Sequence, residues 1–521
     1  MGGAWKRGRV SMRYQLGAFA EIGLDSELLE CLLAEHERGV APMLGRLWSY
    51  YRNPMRARHS RACGVGGWYR LAQEDGLPDR LRGRREGIWA DDRGQERRAV
   101  IENDIAWRID ALVNFVFGKP VRIRSTARDS GVRARIEAAL GAAFGASGGM
   151  SLMQDMALLA SVHGWVDLIL RTDGLLGTGS AEVASGDRVG LEEIESAASR
   201  LRVEIVEAPR SIPLLGADDY RRIEALVIRS ELEGREVDRG SVARRVFGVL
   251  GKRGAEPVAG RRRHDVLEIL SARHRQVYVD GGLVEEGPNE LGELPIVHVQ
   301  NVSQPFHYAG LSDVEPLIPI QDELNTRLSD RAHRVTMQSF NMYLAKGLEG
   351  IGQAGRVAVG PGEVWLTENP DAEVKAFGGD GHSPSEERHI DELREAMDKV
   401  SAVSPVVLGV VRAKLGHLSS VNALRITMLG ILSKTERKRV TFGRGIAAMS
   451  GLILRALDVA GVLRTDERDR GVRLEWPDPL PVSEQDAIRT ALLKRDLGVP
   501  VGELMEELGY APEDEGVVPG E

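Results

Sequence analysis

Catalysis and ligand capture need particular residue types at particular spacings, and this 521-residue chain offers few of them. Gly350-Ile351-Gly352-Gln353-Ala354-Gly355 reads as the dinucleotide pattern G-x-G-x-x-G. That pattern holds a pyrophosphate only between a strand and a helix N-terminus, where backbone amides face the phosphates. Val357-Ala358-Val359-Gly360-Pro361 follows instead and cannot open that helix, so no nucleotide site is expected. A phosphate loop G-x-x-x-x-G-K-[ST] is absent, because Gly248 to Lys252 has the wrong spacing. H-E-x-x-H is absent, and no two of the eleven histidines stand four apart. A lone histidine such as His163 or His298 reads as a packed or surface residue. Neither a serine-nucleophile elbow nor a catalytic carboxylate pair is expected. The two cysteines, Cys31 and Cys63, cannot build a four-thiolate site or staple the fold, and they read as reduced, unpaired thiols. The expectation is a protein without catalytic residues, metal or cofactor.

Basic residues are the next candidates. Lys434, Arg437, Lys438, Arg439 and Arg444 gather in one stretch with only Glu436 opposing them. Lys434 and Lys438 stand one helical turn apart and share a face. The cluster reads as a solvated face, as salt bridges to a neighbouring subunit, or as a contact to DNA. Arg412, Lys414 and His417 lie just upstream in a Gly-containing loop. The net charge is -8, however, and affinity for nucleic acid comes largely from neutralised phosphates, which argues against a general duplex-coating protein. Hydrophobic residues at 42% and charged residues at 28% suit a soluble globular protein. The best apolar stretch, Met156 to Leu170, contains His163 and Asp167, and no run reaches the ~18 apolar residues of a membrane span. The basic start, Met1 to Val10, is followed by no long apolar stretch, so no secretory signal and no membrane partner are expected, and synthesis is placed in the cytoplasm.

The elements around these residues divide into two halves. The first half reads as α+β. Helices are expected at 25–36, 43–51, 101–116, 132–144 and 151–163 from their apolar spacing. Strands are expected at 121–124, 166–171, 201–207, 223–231, 266–270, 276–279 and 296–299. Mobile loops are expected near 53–94, 173–199 and 234–263. The last of these ends in Arg261-Arg262-Arg263, a solvated surface loop or a contact to DNA or a partner.

The second half reads differently. Ser312-Asp313-Val314-Glu315 has the form of a capping box. A helix to about Tyr343 follows, in which Pro316 is tolerated and Pro319 kinks the start. About thirty residues make a rod of roughly 45 Å. Residues 344–385 are Gly-rich and strand-like, with about twice as many acids as bases and strands at 356–359 and 363–366. A polar helix at 386–403, a loop at 404–419 and a long helix at 420–462 follow, the last broken or bent near Gly430 and Gly443 to Gly445. Pro477, Pro479 and Pro481 read as a linker before short helices at 483–497 and 501–508.

The order of several short segments is distinctive. They are Trp48-Ser49-Tyr50-Tyr51-Arg52-Asn53, the stretch from Asn103 to Pro120 with its ending Phe117-Gly118-Lys119-Pro120, Leu291-Gly292-Glu293-Leu294-Pro295-Ile296-Val297 and Gly310-Leu311-Ser312-Asp313-Val314-Glu315. Asp322-Glu323-Leu324-Asn325 with Ser329, and Ser419-Ser420-Val421-Asn422-Ala423-Leu424, complete the series, with Val421 where glycine is usual. In this order the chain resembles the portal proteins of tailed double-stranded DNA bacteriophages, of the long-tailed-phage type. The resemblance implies an α+β portal fold: an α/β wing (1–311), a two-helix stem (312–343 and 386–403) and a small β-containing clip (344–385). A tunnel loop (404–419), a long kinked helix (420–462) and a helical C-terminal crown (463–521) would follow. It implies a homo-oligomeric, dodecameric ring at one capsid vertex of a virion, assembled in the host cytoplasm. Double-stranded DNA would pass through it, packaged by the terminase motor and later ejected. Its partners would be the terminase large subunit, major capsid and scaffold proteins and a head-tail adaptor. On this reading Arg412, Lys414 and His417 face DNA. Lys434, Arg437, Lys438 and Arg439 touch DNA or a neighbouring subunit. Gly350, Gly352, Gly355, Arg356 and Glu363 lie in the clip that docks terminase. Another virion structural protein, such as an adaptor or minor head protein, is the alternative.

Overall fold

The computed structural model describes residues 14–57, 69–81, 99–176, 189–235, 261–339, 342–346, 371, 373–377, 383–408, 425–480 and 484–508. Helix α1 (Ser26–Glu35) begins where the Asp25 carboxylate accepts from the Leu28 amide at 2.8 Å, and a π turn (His36–Val40) joins it to α2 (Ala41–Arg52). Strands β1 (Met55–Ala57) and β2 (Tyr69–Leu71) then pair, so part of the expected 53–94 loop is a hairpin. Helix α3 (Asp104–Phe117) is capped by Asn103 and stops at Gly118, two residues before Pro120. Strand β3 (Arg122–Ser125) and helices α4 (Ser130–Ala146) and α5 (Met150–His163) follow. Strand β4 (Trp165–Arg171) comes next, then α6 (Leu191–Ala198), which buries Ile194, Ala197 and Ala198 where a mobile loop was expected.

Two antiparallel sheets complete the first half. Strand β5 (Arg202–Glu207) pairs with β4, and β11 (Ile296–Gln300) pairs with its other edge. Between them in sequence, β6 (Ser211–Leu215), β7 (Ile223–Arg235), β8 (Arg261–Ser271), β9 (His274–Val279) and β10 (Gly282–Pro288) form a five-stranded meander. Arg261, Arg262 and Arg263 sit in β8 opposite Arg235, Gly234 and Glu233, so they extend a hairpin rather than a surface loop. Strands β6 and β10 were not expected from the sequence, since Ser211–Leu215 is short and Gly282–Pro288 carries two glycines and a proline.

In the second half a 3-10 turn (Glu315–Leu317) leads into α7 (Ile318–Ser339). Pro319 sits in the first turn of α7, where its missing amide costs nothing, and marks the change from 3-10 to α geometry. The helix ends at Ser339, short of the expected Tyr343, which lies in β12 (Met342–Lys346) paired with β13 (Glu373–Phe377). Helix α8 (Pro384–Ser401) returns beside α7 and closes with Ala402 at φ 60°. The helical turn at 425–427 is interrupted at Met428, close to the break expected near Gly430, and helix α9 (Leu429–Val459) then runs unbroken through Gly443 and Gly445. Gly430 and Gly445 serve close approach: a Cβ would stand 3.1 Å from the Ala402 carbonyl oxygen at Gly430 and 2.5 Å from a Val299 methyl at Gly445, so α9 lies directly on β11. Strand β14 (Val472–Glu475) pairs with β3, and α10 (Glu484–Asp496) and α11 (Val501–Leu508) close the described chain.

The largest core cluster joins both halves. Phe117, Ile136, Leu140, Val166 and Leu168 pack with Phe442, Ile446, Met449, Ile453 and Leu457 of α9. Fully burying each such side chain contributes about 1.5–3 kcal/mol. Val462 and Leu463 belong to this core, with Leu474 and Trp476 packed against it, so a boundary at 463 would cut through it. The segment after β14 is strapped to the same body. Lys119 donates to the Asp478 and Leu480 carbonyls, and Arg425 pairs with Asp478 at 2.7 Å. By length and composition alone α9 could cross a membrane, but its apolar residues are largely this core.

Candidate functional site

Helices α7 and α8 lie side by side in opposite directions. Arg334 pairs with Glu386, Arg331 with Glu387 at 3.6 Å, and His389 approaches Glu323 at 3.6 Å. Such half-exposed pairs give little stability each, but they fix the direction of pairing. At its base, α7 is fastened to the first half by buried amides. Asn325 donates to Gln73 Oε1 at 3.0 Å and accepts from the Glu102 amide at 3.0 Å. Gln321 donates to the Glu102 carbonyl and to Asn325, and accepts from the Asp104 amide. Gln73 in turn reaches Asn103 and the Tyr50 carbonyl, and Asn53 accepts from its amide. The Tyr50 hydroxyl donates to Asp322 at 2.6 Å. Burial, then the hydrogen bond and charge of Asp322, push that phenol up to about 12. Helix α8 is fastened by Arg108, fully buried, which reaches Asp104 at 2.9 Å and Asp398 at 2.5 Å.

The second fastening is a buried ammonium. Lys438, 1% exposed on α9, spends its three N–H groups on Ser161 Oγ (2.7 Å), Asn301 Oδ1 (2.6 Å) and Asp313 Oδ2 (2.5 Å). Asp313 Oδ1 accepts from Lys434 at 2.8 Å, and Lys434 also donates to the Ser401 carbonyl that ends α8. Asn301 Nδ2 donates to Asp313 and to the Leu311 carbonyl. Burial by itself would raise the Asp313 carboxyl, but the charges of Lys438 and Lys434 outweigh it and hold the acid well below the usual range. For Lys438, burial lowers the ammonium and the attraction of Asp313 offsets only part of that. The site is shaped by backbone contact at Gly164, φ 96°, where a Cβ would stand 2.4 Å from the Gly310 carbonyl oxygen. Ser312 caps the following turn, accepting from the Val314 and Glu315 amides while donating to the Val162 carbonyl.

Other polar clusters look more like chemistry than they are. Asp167, fully buried in β4, meets His298 Nδ1 (2.7 Å), the Tyr308 hydroxyl (2.9 Å) and the Ser211 hydroxyl (2.5 Å). The serine bonds the carboxylate rather than the imidazole, and His298 Nε2 faces the Tyr308 carbonyl, so no base is free to activate a hydroxyl. Gly145-Ala146-Ser147-Gly148-Gly149 does write G-x-S-x-G, contrary to the expectation of no elbow. It lies between α4 and α5, not between a strand and a helix as the elbow requires. Its Ser147 hydroxyl donates to the Ala143 carbonyl and accepts from the Val203 amide. Among the described residues no group of three or more His, Cys, Asp and Glu could hold a metal ion.

Residues 263–502 match the family model "Phage portal protein, SPP1 Gp6-like". Over this region the chain is similar to the phage portal family. The family is one of structural proteins, and the α+β architecture is that expected of a portal fold. A neck structure of an empty gene transfer agent (GTA) particle, computed with C6 symmetry, is similar at 11% identity and a TM-score of 0.39, covering 78% of this chain and 90% of that one. The virion of a native gene transfer agent particle is similar at 13% identity and a TM-score of 0.36, covering 78% and 89%. No curated protein matches the chain.

The portal-like segments noticed in the sequence converge on the two fastenings. Tyr50, Asn53, Asn103, Asp322 and Asn325 build the amide cluster, and Gly310, Ser312 and Asp313 build the lysine site. The expected contact residues divide. Lys438 and Arg439 are buried, which corrects their assignment to DNA or a neighbour: Lys438 is consumed as above, and Arg439 bonds Glu436 and the Pro477 carbonyl and lies over Trp476. Lys434 is half-buried on Asp313, and Arg437 alone of the four is exposed. Arg412, Lys414, His417, Gly350, Gly352, Gly355, Arg356 and Glu363 lie outside the described residues, as do the expected strands at 356–359 and 363–366. Sequence reasoning missed Ser161, Asn301 and Arg108. It also took Asp313 only as part of a cap. The available signal was position: Lys438 falls on the stripe of Ile431, Thr435, Phe442 and Ile446 that faces the core.

Two predictions follow from this geometry. Lys438→Met leaves Asp313 short of its main counter-charge, so it is expected to cost about 3–5 kcal/mol, with Lys438→Met/Asp313→Leu costing less than the sum of the singles. Thermal melts of the four proteins test this, and simple additivity would refute coupling. His163, buried and stacked on Trp48, is lowered to about 4 by burial, against a smaller opposing pull from Glu207. The unfolded chain therefore binds a proton between about pH 6.5 and pH 4 that the folded chain refuses, and stability falls as pH drops through that window, by up to about 3 kcal/mol. His163→Gln should flatten the fall of the melting midpoint between pH 7 and pH 5; equal slopes would contradict it.

Proposed function

We propose that the chain is a portal: a ring at one capsid vertex of a virion through which double-stranded DNA is packaged and later ejected. The observation that carries this is the family match over residues 263–502, which spans α7, α8, α9 and α10. The build supports it. A hairpin of two helices held at its base by directional buried bonds makes a stiff projection, and a ring wall needs such parts in repeated, closing contact. On this reading the first half with α9 is the wing, α7 and α8 are the stem, and residues 342–377 with Gly350, Gly352, Gly355, Arg356 and Glu363 are the clip that docks the terminase large subunit. The crown begins near α10. Arg412, Lys414 and His417 belong to a tunnel loop beside DNA. The wing meets capsid and scaffold proteins, and the clip later receives a head-tail adaptor. The chain conducts DNA without chemistry of its own, and its net negative charge keeps phosphate from sticking.

Native mass and negative-stain imaging test the ring. Closed rings of about a dozen copies with a central hole are expected. A monomer that persists across salt and protein concentration would refute the reading. For the loop, Arg412→Ala/Lys414→Ala is expected to leave ring mass unchanged and alter the DNA content of assembled particles. Unchanged DNA content would remove those residues from the channel.

A further inference from the structure

Helix α9 is buried on every side but one. Leu429, Gly430, Ser433, Glu436, Arg437, Val440, Arg444, Ala448 and Val459 are exposed, Glu436 being engaged by Arg439 at 2.8 Å. At 100° per residue they occupy one sector of about 140°, running for roughly 45 Å. Large apolar side chains sit in it openly: Leu429 is 59% exposed, Val440 53% and Val459 50%, and Ile426 in the preceding turn is 67%. Arg437 and Arg444 interrupt them and make no ion pair with any described residue. Phosphate would meet the arginines but leave the apolar residues wet, so this mixture suits a protein surface better than DNA.

The same chain carries a complementary face. On the outer side of α8, Arg388, Asp391, Glu392, Glu395 and Lys399 are exposed within about 100°. Arg388 is engaged by Glu392 at 3.2 Å. Asp391 and Glu395, one turn apart, have no ion-pair partner among the described residues and leave the face net negative. Two different patches on one chain, one of each sign, are what a heterologous contact between copies requires.

We propose that the exposed stripe of α9 is covered by a second copy of this chain, whose α8 sets Asp391 and Glu395 against Arg437 and Arg444. This rests on the ring reading and names the surfaces that would close it. The test uses the full-length protein and mass photometry across a concentration series. Arg437→Glu/Arg444→Glu places like charges together and is expected to raise the concentration needed for assembly by about tenfold or more. Adding Asp391→Lys/Glu395→Lys to that chain restores opposite charges and is expected to restore assembly, which also shows that the reversed arginines had not unfolded the chain. Normal assembly of the Arg437→Glu/Arg444→Glu protein would overturn the proposal. Loss of assembly that the second pair fails to rescue would overturn the choice of α8. Rings that form normally while binding to a DNA duplex falls would assign the stripe to DNA instead. A wild-type protein that never assembles would overturn the ring reading and this one together.

Discussion

The ammonium of Lys438 sets the terms for the joint around it. A charge taken fully out of water is tolerable only when its partners are all in place, and here they come from different parts of the chain. Ser161 is near the end of α5, Asn301 follows β11, and Asp313 precedes α7. Asp313 then recruits Lys434, which closes on the carbonyl at the end of α8. A methionine would fill the same volume and tolerate sliding. An ammonium with three fixed acceptors does not, because moving any one element strands a charge or a donor. The Gly164–Gly310 approach serves the same end by letting two backbones meet where a single Cβ would separate them.

The helix pair is therefore held at two levels by directional bonds rather than by apolar packing alone. Apolar contacts are present, with Leu317, Leu324, Ile390 and Met397 in one cluster beside Leu44, Ile105 and Ile109. Such contacts are non-directional and allow alternative packings of similar energy. The amides of Gln73, Gln321 and Asn325 remove that freedom, since a rotation of α7 would leave each of them unsatisfied in a buried site. In the proposed ring, where the helix pair would repeat identically in every copy, a fixed angle is worth more than extra stability.

Much of this architecture was legible in the sequence because it is local. The spacing of Ile105, Ile109, Leu112 and Val116, and the Gly118–Pro120 stop, give the end of α3 to within one residue, while its start falls three residues later than expected. What was not legible is long-range. Strand β14 is four residues long and becomes a strand by pairing with β3, some 350 residues earlier, at the Arg473–Arg124 register. Proline punctuation after it suggested a linker, yet the carbonyls of Pro477, Asp478 and Leu480 are acceptors for Arg439 and Lys119, so the same residues form a strap. The basic run on α9 misled for a related reason. Composition treats Lys434 to Arg444 as one patch, whereas the helix turns Lys438 inward and Arg437 outward through a 100° step.

That step explains why α9 reads ambiguously by any single measure. Its apolar content is high enough for a membrane span, its basic content for a nucleic-acid contact and its glycine content for a break. Each property belongs to a different face. Gly443 faces Trp476 and Gly445 faces β11, and Phe442, Ile446, Met449, Ile453 and Leu457 face the core. Lys434 and Lys438 face the joint with α5, α7 and α8, and Arg437 and Arg444, which make no ion pair with any described residue, face outward with the exposed Val440. A helix so divided transmits position: any force on its outer stripe acts on the buried ammonium, and so on α7 and α8, through one rigid body. If the stripe does meet a neighbouring copy, contact between subunits and the angle of the stem are set by the same helix, and a ring assembled through it would hold every stem at one inclination.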